Sequence, residues 1–388
     1  MKVIYIDIND CSGKYPNSLD DGDAFYTHGW GALLAKEFKK YNEEFEVECW
    51  KADNRIKYQQ QKTIVGVQFK IYPAIHIKKL GYFSIQMANA IKKLKDKGTI
   101  INISSGRHLL FFQIALLCKS IPLVVQHHGE TTSIFDFKFR QGVLSKSRAL
   151  LTMIPEQAAF KNVNHYFILD ERLIEFLPRT FKGTYSVQTT GVDPEIFYPM
   201  DKLEARRELG LPSDKKYILY IGRIGDHKRF DILLEIYREL KQERKNVQLI
   251  VAGNRPGDKF EMEAIEVGVI IFGVIKQTEL YKYLSVADVY VLPGLKSIHT
   301  FGGVGMLPLQ AALCNIPVVG ASLGAVKQEI RDKIGIYAEG KTMIKKSIEN
   351  VLDEIFKPEA LRETVLKEYS WENITNSTKT LYDRVLGE

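Results

Sequence analysis

Tyr217-Ile218-Leu219-Tyr220-Ile221-Gly222-Arg223-Ile224-Gly225-Asp226-His227-Lys228-Arg229-Phe230 decides how this chain is read. Tyr217 to Ile221 is an apolar, β-rich run that predicts a buried strand. Asp231-Ile232-Leu233-Leu234-Glu235-Ile236-Tyr237 follows with the spacing of an amphipathic helix. A strand, a glycine-punctuated basic loop and a helix form a phosphate-binding arrangement, because backbone amides and fixed cations converge there. Arg223 and Lys228 at the carboxyl edge of a parallel sheet could hold a diphosphate and stabilise the charge that builds on it as a bond to it breaks. The plainer reading of an isolated arginine and lysine is a solvated basic turn, and the rest of the chain chooses between the two.

Working outward, short apolar runs alternate with helical patterns. The first half predicts strands at Val3 to Ile8, Thr63 to Ile71, Thr99 to Ile103, Leu123 to Gln126 and His165 to Ile168, with helical patterns between. The second half repeats the rhythm at Tyr217 to Ile221, Val247 to Ala252, Val269 to Phe272, Val289 to Leu292 and Pro317 to Val319. Such alternation implies α/β architecture with parallel sheets covered by helices. Its recurrence around a joint at residues 198 to 215 predicts two Rossmann-like domains facing across a cleft, with a ligand in the cleft. Asp193 followed by Pro194 predicts a capped short helix just before the joint.

Composition narrows the class. A chain of 388 residues, 45% hydrophobic, is long enough for two cores. The chain opens directly on a strand and its longest apolar stretch, Leu109 to Leu117, is too short to span a bilayer, so a soluble cytoplasmic protein is expected. Cys11, Cys49, Cys118 and Cys314 lack metal-ligand or disulfide-framework spacing. The net charge of +7 is concentrated in residues 1 to 200, which hold 26 Lys/Arg against 20 Asp/Glu. Residues 54 to 95 carry nine cations and no acid, interleaved with aromatic and aliphatic residues. That segment suggests peripheral association with an anionic membrane face or an anionic acceptor, the plainer alternative being solvated lysines on outer faces. No nucleic-acid motif accompanies the charge, so nucleic acid is not expected as a partner.

The ordered set of motifs resembles the retaining glycosyltransferases of the GT-B fold usually numbered family four, the glycosyl transferases group 1. The resemblance rests on Thr190-Gly191-Val192-Asp193 with Phe197 and Pro199, Gly222-Arg223 with Lys228, Val251-Ala252-Gly253, Phe272-Gly273-Val274 and Ala287-Asp288-Val289 with Pro293. Leu307-Pro308-Leu309-Gln310-Ala311-Ala312 running on to Val319 follows, then Gly324, Glu329, Gly335 and Tyr369-Ser370-Trp371-Glu372. It implies an N-terminal acceptor-binding domain at 1–200, a nucleotide-sugar-binding domain at 201–365, and a C-terminal helix at 366–388 returning to the first domain.

Residue by residue, Arg223 and Lys228 match the pair that holds the donor diphosphate, the role their spacing already suggested. Gly222 precedes them. Gly303, Val304 and Gly305 lie before the helix containing Pro308, which must begin within a few residues of 305 because proline is tolerated only in a first turn. The amides there would face the same diphosphate. Gly29 and Gly31 match the glycine loop after the first strand, where backbone can approach a ligand closely. Val274 and Ile275 match the region lining the base pocket. His128 matches the histidine that meets the donor sugar, with His127 as the alternative. The pattern departs at Gly302 and Gln310, where the resemblance would place glutamates. The Gln310 carbonyl can still accept a hydrogen bond from a ribose hydroxyl, and Thr300 or His299 could replace the other.

The expected reaction is transfer of a sugar, with retention, from a nucleotide diphosphate sugar to a glycan or lipid-linked acceptor, as in polysaccharide biosynthesis. UDP is preferred as the carrier, with GDP the alternative. No cofactor and no metal are expected, and Asp21-Gly22-Asp23 reads as a loop rather than a metal site. The rival readings are a sugar-nucleotide epimerase and a non-catalytic GT-B subunit.

Overall fold

The computed structural model describes residues 1–8, 29–77, 80–94, 98–139, 141–169, 171–294, 306–321, 326 and 328–387, the side chains of 227, 328 and 329 excepted. It divides into two compact units, residues 1–188 with 372–388, and residues 189–371.

Unit 1 is built on an eight-stranded sheet. Its strands are β1 (Lys2–Asp7), β2 (Glu46–Asp53), β3 (Gln60–Ile64), β4 (Val67–Pro73), β7 (Thr99–Ser104), β8 (Leu123–Gln126), β9 (His165–Ile168) and β10 (Thr184–Val187), while β5 (Ile75–Ile77) and β6 (Gly81–Phe83) form a separate hairpin. The order is β10-β9-β8-β7-β1-β2-β4-β3. All pairings are parallel except the edge hairpin β3–β4. Helices α1 (Trp30–Tyr41), α2 (Ile85–Lys92), α3 (Leu109–Leu117), α4 (Ser133–Phe139) and α5 (Val143–Phe160) belong to this unit. Every residue of β7, β8 and β9 is buried, as expected of central parallel strands covered on both faces. On α1, Gly31, Leu34, Ala35 and Phe38 are buried at the helical repeat.

The stretch Thr63 to Ile71, read as one strand, is two. Val65 (φ 49°) and Gly66 (φ 74°) both adopt left-handed backbone, so the chain reverses there. Two adjacent positive φ values suit a tight hairpin turn and not a strand.

Unit 2 carries a six-stranded parallel sheet in the order β13-β12-β11-β14-β15-β16. Its strands are β11 (Lys216–Ile221), β12 (Val247–Ala252), β13 (Ile270–Phe272), β14 (Val289–Leu292), β15 (Val318–Gly320) and β16 (Gly335–Tyr337). Its helices are α6 (Lys202–Glu208), α7 (Phe230–Glu243), α8 (Glu261–Glu266), α9 (Leu280–Ser285), α10 (Leu307–Leu313), α11 (Gln328–Ile334), α12 (Gly340–Leu352) and α13 (Leu361–Tyr369). On α7, Phe230, Leu233, Leu234, Tyr237 and Leu240 are buried at helical spacing. Each fully buried side chain of this kind contributes roughly 1.5 to 3 kcal/mol. Asp193 caps as read, its Oδ1 accepting the Glu195 and Ile196 amides, but the chain makes a single turn rather than a helix.

The last helix, α14 (Trp371–Leu386), packs on unit 1. Its Tyr382 hydroxyl accepts from Asn102 Nδ2 on β7 at 2.8 Å and donates to the Tyr5 hydroxyl on β1 at 3.2 Å. No helix among the described residues is long and apolar enough to cross a membrane.

Candidate functional site

In each sheet the chain leaves the first strand to one side and later returns to the other. In unit 2 this switch lies between β11 and β14, and in unit 1 between β1 and β7. Open α/β sheets bind ligands at the carboxyl ends of the strands beside such a switch. The sequence-selected residues fall at both places.

In unit 2, the carboxyl edge is crested with glycine. Gly222, Gly253 and Gly273 follow the adjacent strands β11, β12 and β13, with φ of 136°, 84° and 28°. The Gly222 amide donates to the Ala252 carbonyl at 2.7 Å, and the Gly253 amide to the Gly273 carbonyl at 2.6 Å. A Cβ on Gly253 would lie 3.4 Å from the Gly222 nitrogen, so the crest is close-packed backbone.

Arg223 and Lys228 stand on this crest. The Arg223 guanidinium is held from one edge by Asp258, Nε at 2.9 Å and Nη2 at 2.6 Å from the same Oδ1. The other oxygen of Asp258 accepts the Ile224 and Arg255 amides, both at 3.2 Å. Burial pushes the Asp258 carboxyl up, but Arg223 and these amides outweigh it and hold it below the usual carboxylate range. Arg223 is 58% exposed, and an arginine has five N–H donors, so its remaining donors face outward. The Tyr220 hydroxyl donates to the Arg223 carbonyl at 2.8 Å and fixes the start of the loop.

Lys228 ends a turn of 3-10 helix, and the chain then takes left-handed backbone at Arg229 (φ 52°) before α7 begins. Its ammonium lies 3.9 Å from where a Gly222 Cβ would be. Burial pushes its pKa down, and no carboxylate among the described residues pairs with it. A half-buried ammonium without a carboxylate partner among the described residues, beside an oriented arginine, is suited to an incoming anion.

Val274 is exposed just beyond Gly273, at the end of edge strand β13. Gln310 is buried on α10, which begins at Leu307 with Pro308 in its first turn as the sequence required. Gly303, Val304 and Gly305 lie outside the described residues, as do Gly302, His299, Thr300 and the Asp21–Asp23 stretch.

In unit 1, Gly29 and Gly31 begin α1 against the end of β1. What approaches them is Asp7, joined at Gly31 by Ser104: a Cβ on Gly29 would fall 2.0 Å from Asp7 Oδ2, and one on Gly31 2.7 Å from Ser104 Oγ and 2.9 Å from Asp7 Cβ. Asp7 is itself buried and ion-paired to Lys51 at 3.3 Å. Nearby, after β8, the His128 ring stacks on Trp30 with centroids 5.5 Å apart and planes 12° off parallel. Burial pushes the His128 pKa down to about 4, with Glu130 opposing, so the imidazole is neutral at physiological pH. Glu130 accepts the Gly106 amide at 2.7 Å and the His128 amide at 2.8 Å. His127 is fully buried, its Nε2 2.7 Å from the Glu130 carbonyl oxygen.

Ser104 Oγ, Ser105 Oγ, His127 Nδ1 and His128 Nε2 are buried with no hydrogen-bond partner among the described residues. Four such atoms at one sheet edge form a polar lining of the kind a hydroxylated ligand satisfies. Among the described residues, no group of His, Cys, Asp or Glu has the geometry to hold a metal ion.

Sequence reasoning missed Asp258, Ser104 and Ser105. For Asp258 a signal existed, a turn Asn254-Arg255-Pro256-Gly257 carrying a carboxylate past the glycine of the neighbouring strand. Nothing in the sequence marked the two serines.

Residues 201–367 match the sequence profile of the family described as glycosyl transferases group 1. D-inositol 3-phosphate glycosyltransferase of Mycobacterium bovis is 28% identical over 218 residues, covering 51% of this chain. The chain spans only 43% of the length of that relative. Among solved structures, sucrose-phosphate synthase from Thermosynechococcus elongatus matches with a TM-score of 0.69 at 16% identity, over 100% of this chain and 99% of its own. Anabaena HepE, solved in complex with UDP, matches with a TM-score of 0.67 at 13% identity, over 99% of this chain and 100% of its own. The chain has the GT-B fold, and its second unit carries the sequence pattern of the glycosyl transferases group 1.

Proposed function

We propose that this protein is a retaining glycosyltransferase, transferring a sugar from a nucleotide diphosphate sugar to a hydroxyl of a glycan or lipid-linked acceptor. The observation that carries the reading is the Arg223–Lys228 pair on the glycine crest of unit 2, one cation oriented by Asp258 and the other half-buried with no carboxylate partner among the described residues. UDP is the favoured carrier, since a solved structure of this fold is described with UDP bound, and GDP is the alternative.

As the bond between the anomeric carbon and the diphosphate breaks, the electron pair passes to the diphosphate oxygen. Arg223 and Lys228 stabilise the charge that gathers there. The acceptor hydroxyl attacks from the face the diphosphate leaves, and its proton passes to the departing oxygen. Charge stabilisation in this scheme comes from the two cations, and no step is routed through a metal. Gln310 is assigned to the ribose hydroxyls and Val274 to the base. His128, neutral and stacked on Trp30, is assigned as a hydrogen-bond partner to a sugar hydroxyl.

Incubation with a panel of UDP- and GDP-sugars and hydroxylated acceptors tests this, with NMR of the product reporting anomeric configuration. The reading expects a glycoside of the donor's own configuration and free nucleoside diphosphate. An inverted product, or isomerisation of the donor in the absence of acceptor, would refute it.

A further inference from the structure

α5 presents the wrong face to water for an ordinary surface helix. Val143, Leu144, Leu151 and Ile154 are 81%, 88%, 79% and 79% exposed, and Leu150 is 51% exposed. At 3.6 residues per turn, Leu150, Val143, Ile154, Ser147, Leu151 and Leu144 share an arc of about 120°. Ser147 is the single polar residue in that arc. The opposite face, with Ala149, Glu156, Ala159 and Phe160, is buried in unit 1.

Among the described residues, the charges flanking this arc are cationic. Lys146 lies on one flank and Arg148 on the other, both exposed, with Lys161 at the C-terminal end and Lys138 on the neighbouring α4. Lys146 Nζ lies 6.0 Å from the ring centre of Phe137, itself 40% exposed, which extends the apolar surface onto α4. The acids of this stretch, Asp136 and Glu156, are both turned inward. Asp136 pairs with Arg107 at 2.6 Å, and Glu156 accepts the Ser133 amide at 2.9 Å. A two-fold contact through the arc would set these cations against their own copies, which disfavours a second copy of the chain as occupant.

An apolar stripe bordered by cations with long alkyl stems, on a helix lying flat on its domain, has the chemistry of a lipid–water interface. We propose that α5 docks unit 1 on an anionic lipid bilayer, Leu144, Leu151 and Ile154 entering the acyl boundary while Lys146 and Arg148 meet the headgroups. This differs from the basic stretch 54 to 95, where Lys70 is held by Glu48 at 2.7 Å and the exposed apolar residues Tyr58, Val65 and Ile75 are scattered over separate elements. The proposal goes beyond sugar transfer and stands or falls separately from it.

Co-sedimentation of the full chain with phosphatidylcholine vesicles, plain or containing about one third phosphatidylglycerol, tests it. The wild type should sediment with the anionic vesicles and be released as salt rises. Leu144→Ser/Leu151→Ser/Ile154→Ser should lose at least ~10-fold in partitioning with an unchanged melting temperature, because those side chains face solvent in the free protein. Lys146→Gln/Arg148→Gln should lose the preference for anionic vesicles. A wild type that ignores both vesicle types, or a triple variant that binds like the wild type, would overturn the proposal. So would a concentration-dependent dimer in ultracentrifugation that the triple variant abolishes without vesicle binding.

Discussion

Arg223 Nε and Nη2 both donate to one oxygen of Asp258, at 2.9 and 2.6 Å, so a nearly buried carboxylate aims a largely exposed guanidinium. The side chain that meets solvent is held by one that does not. This arrangement separates binding from stability in mutants.

Asp258→Ala should cost stability, because it strands the Ile224 and Arg255 amides as well as the guanidinium. The loss is on the order of 1 to 3 kcal/mol. Arg223→Ala should cost less, because Asp258 loses its cation but keeps both amides, and should weaken nucleoside diphosphate binding at least ~10-fold. If both variants lose stability equally and neither changes affinity, the pair is structural only.

Lys228→Met is expected to behave differently from an ordinary salt-bridge deletion. Its ammonium is desolvated without a carboxylate partner among the described residues, so the free protein should be as stable as the wild type or slightly more so. Diphosphate affinity should still fall at least ~10-fold. A clear drop in melting temperature would reveal a stabilising contact for this lysine and undo its assignment.

Gly29→Ala should be more damaging than Gly31→Ala, although both lie at the start of α1. At Gly29 the new Cβ meets Asp7 Oδ2 at 2.0 Å with φ at 120°, whereas at Gly31 it meets Ser104 Oγ at 2.7 Å. Crowding plus strained backbone should cost roughly 2 to 4 kcal/mol at Gly29 and about 1 to 3 at Gly31. Urea unfolding monitored by circular dichroism ranks them, and the reverse order would count against this packing.

His128 should make stability fall on the acid side. Its pKa is depressed to about 4 in the folded chain, against about 6.5 when unfolded. The unfolded state therefore binds more protons between those values, so this group's contribution is complete above pH 6.5 and is lost as pH falls toward 4. His165, also pushed down to about 4 by burial, acts in the same sense. Glu156, pushed up to about 7 by burial, acts in the opposite sense over much of that range. His128→Asn should therefore flatten the acid limb, seen as a smaller difference in melting temperature between pH 7 and pH 5 than in the wild type. An unchanged difference would contradict the burial assigned to this ring.

The alternation of β runs and helical patterns made most strands legible: Leu123 to Gln126 and His165 to Ile168 match their observed bounds. Of the glycine crest of unit 2, only the Gly222 loop was read from the residues themselves, Gly253 and Gly273 entering as parts of the family motifs; all three take the positive φ that glycine tolerates. Less could be read where tertiary partners decide. Asp288, part of the motif run, is a structural hub that accepts from Arg206 and from the Tyr217 amide. Arg362, far along the chain, donates to the carbonyls of Pro194, Phe197 and Leu313, which explains why the segment after Asp193 is held as a turn. The exposed face of α5 escaped the sequence reading because its leucines and isoleucine mimic a core-facing stripe, while its buried face combines two alanines with Glu156 and Phe160.

The central claim is that the Arg223–Lys228 crest binds a nucleoside diphosphate. The most direct measurement is the melting temperature of wild type and Arg223→Ala with UDP, GDP, ADP or CMP, without added metal. A diphosphate at about a hundred times its dissociation constant adds about 2.7 kcal/mol of stability. The account predicts a rise with UDP, or with GDP if that is the carrier, that is absent with CMP and abolished in Arg223→Ala. No shift with any diphosphate, or an equal shift in the variant, would contradict it.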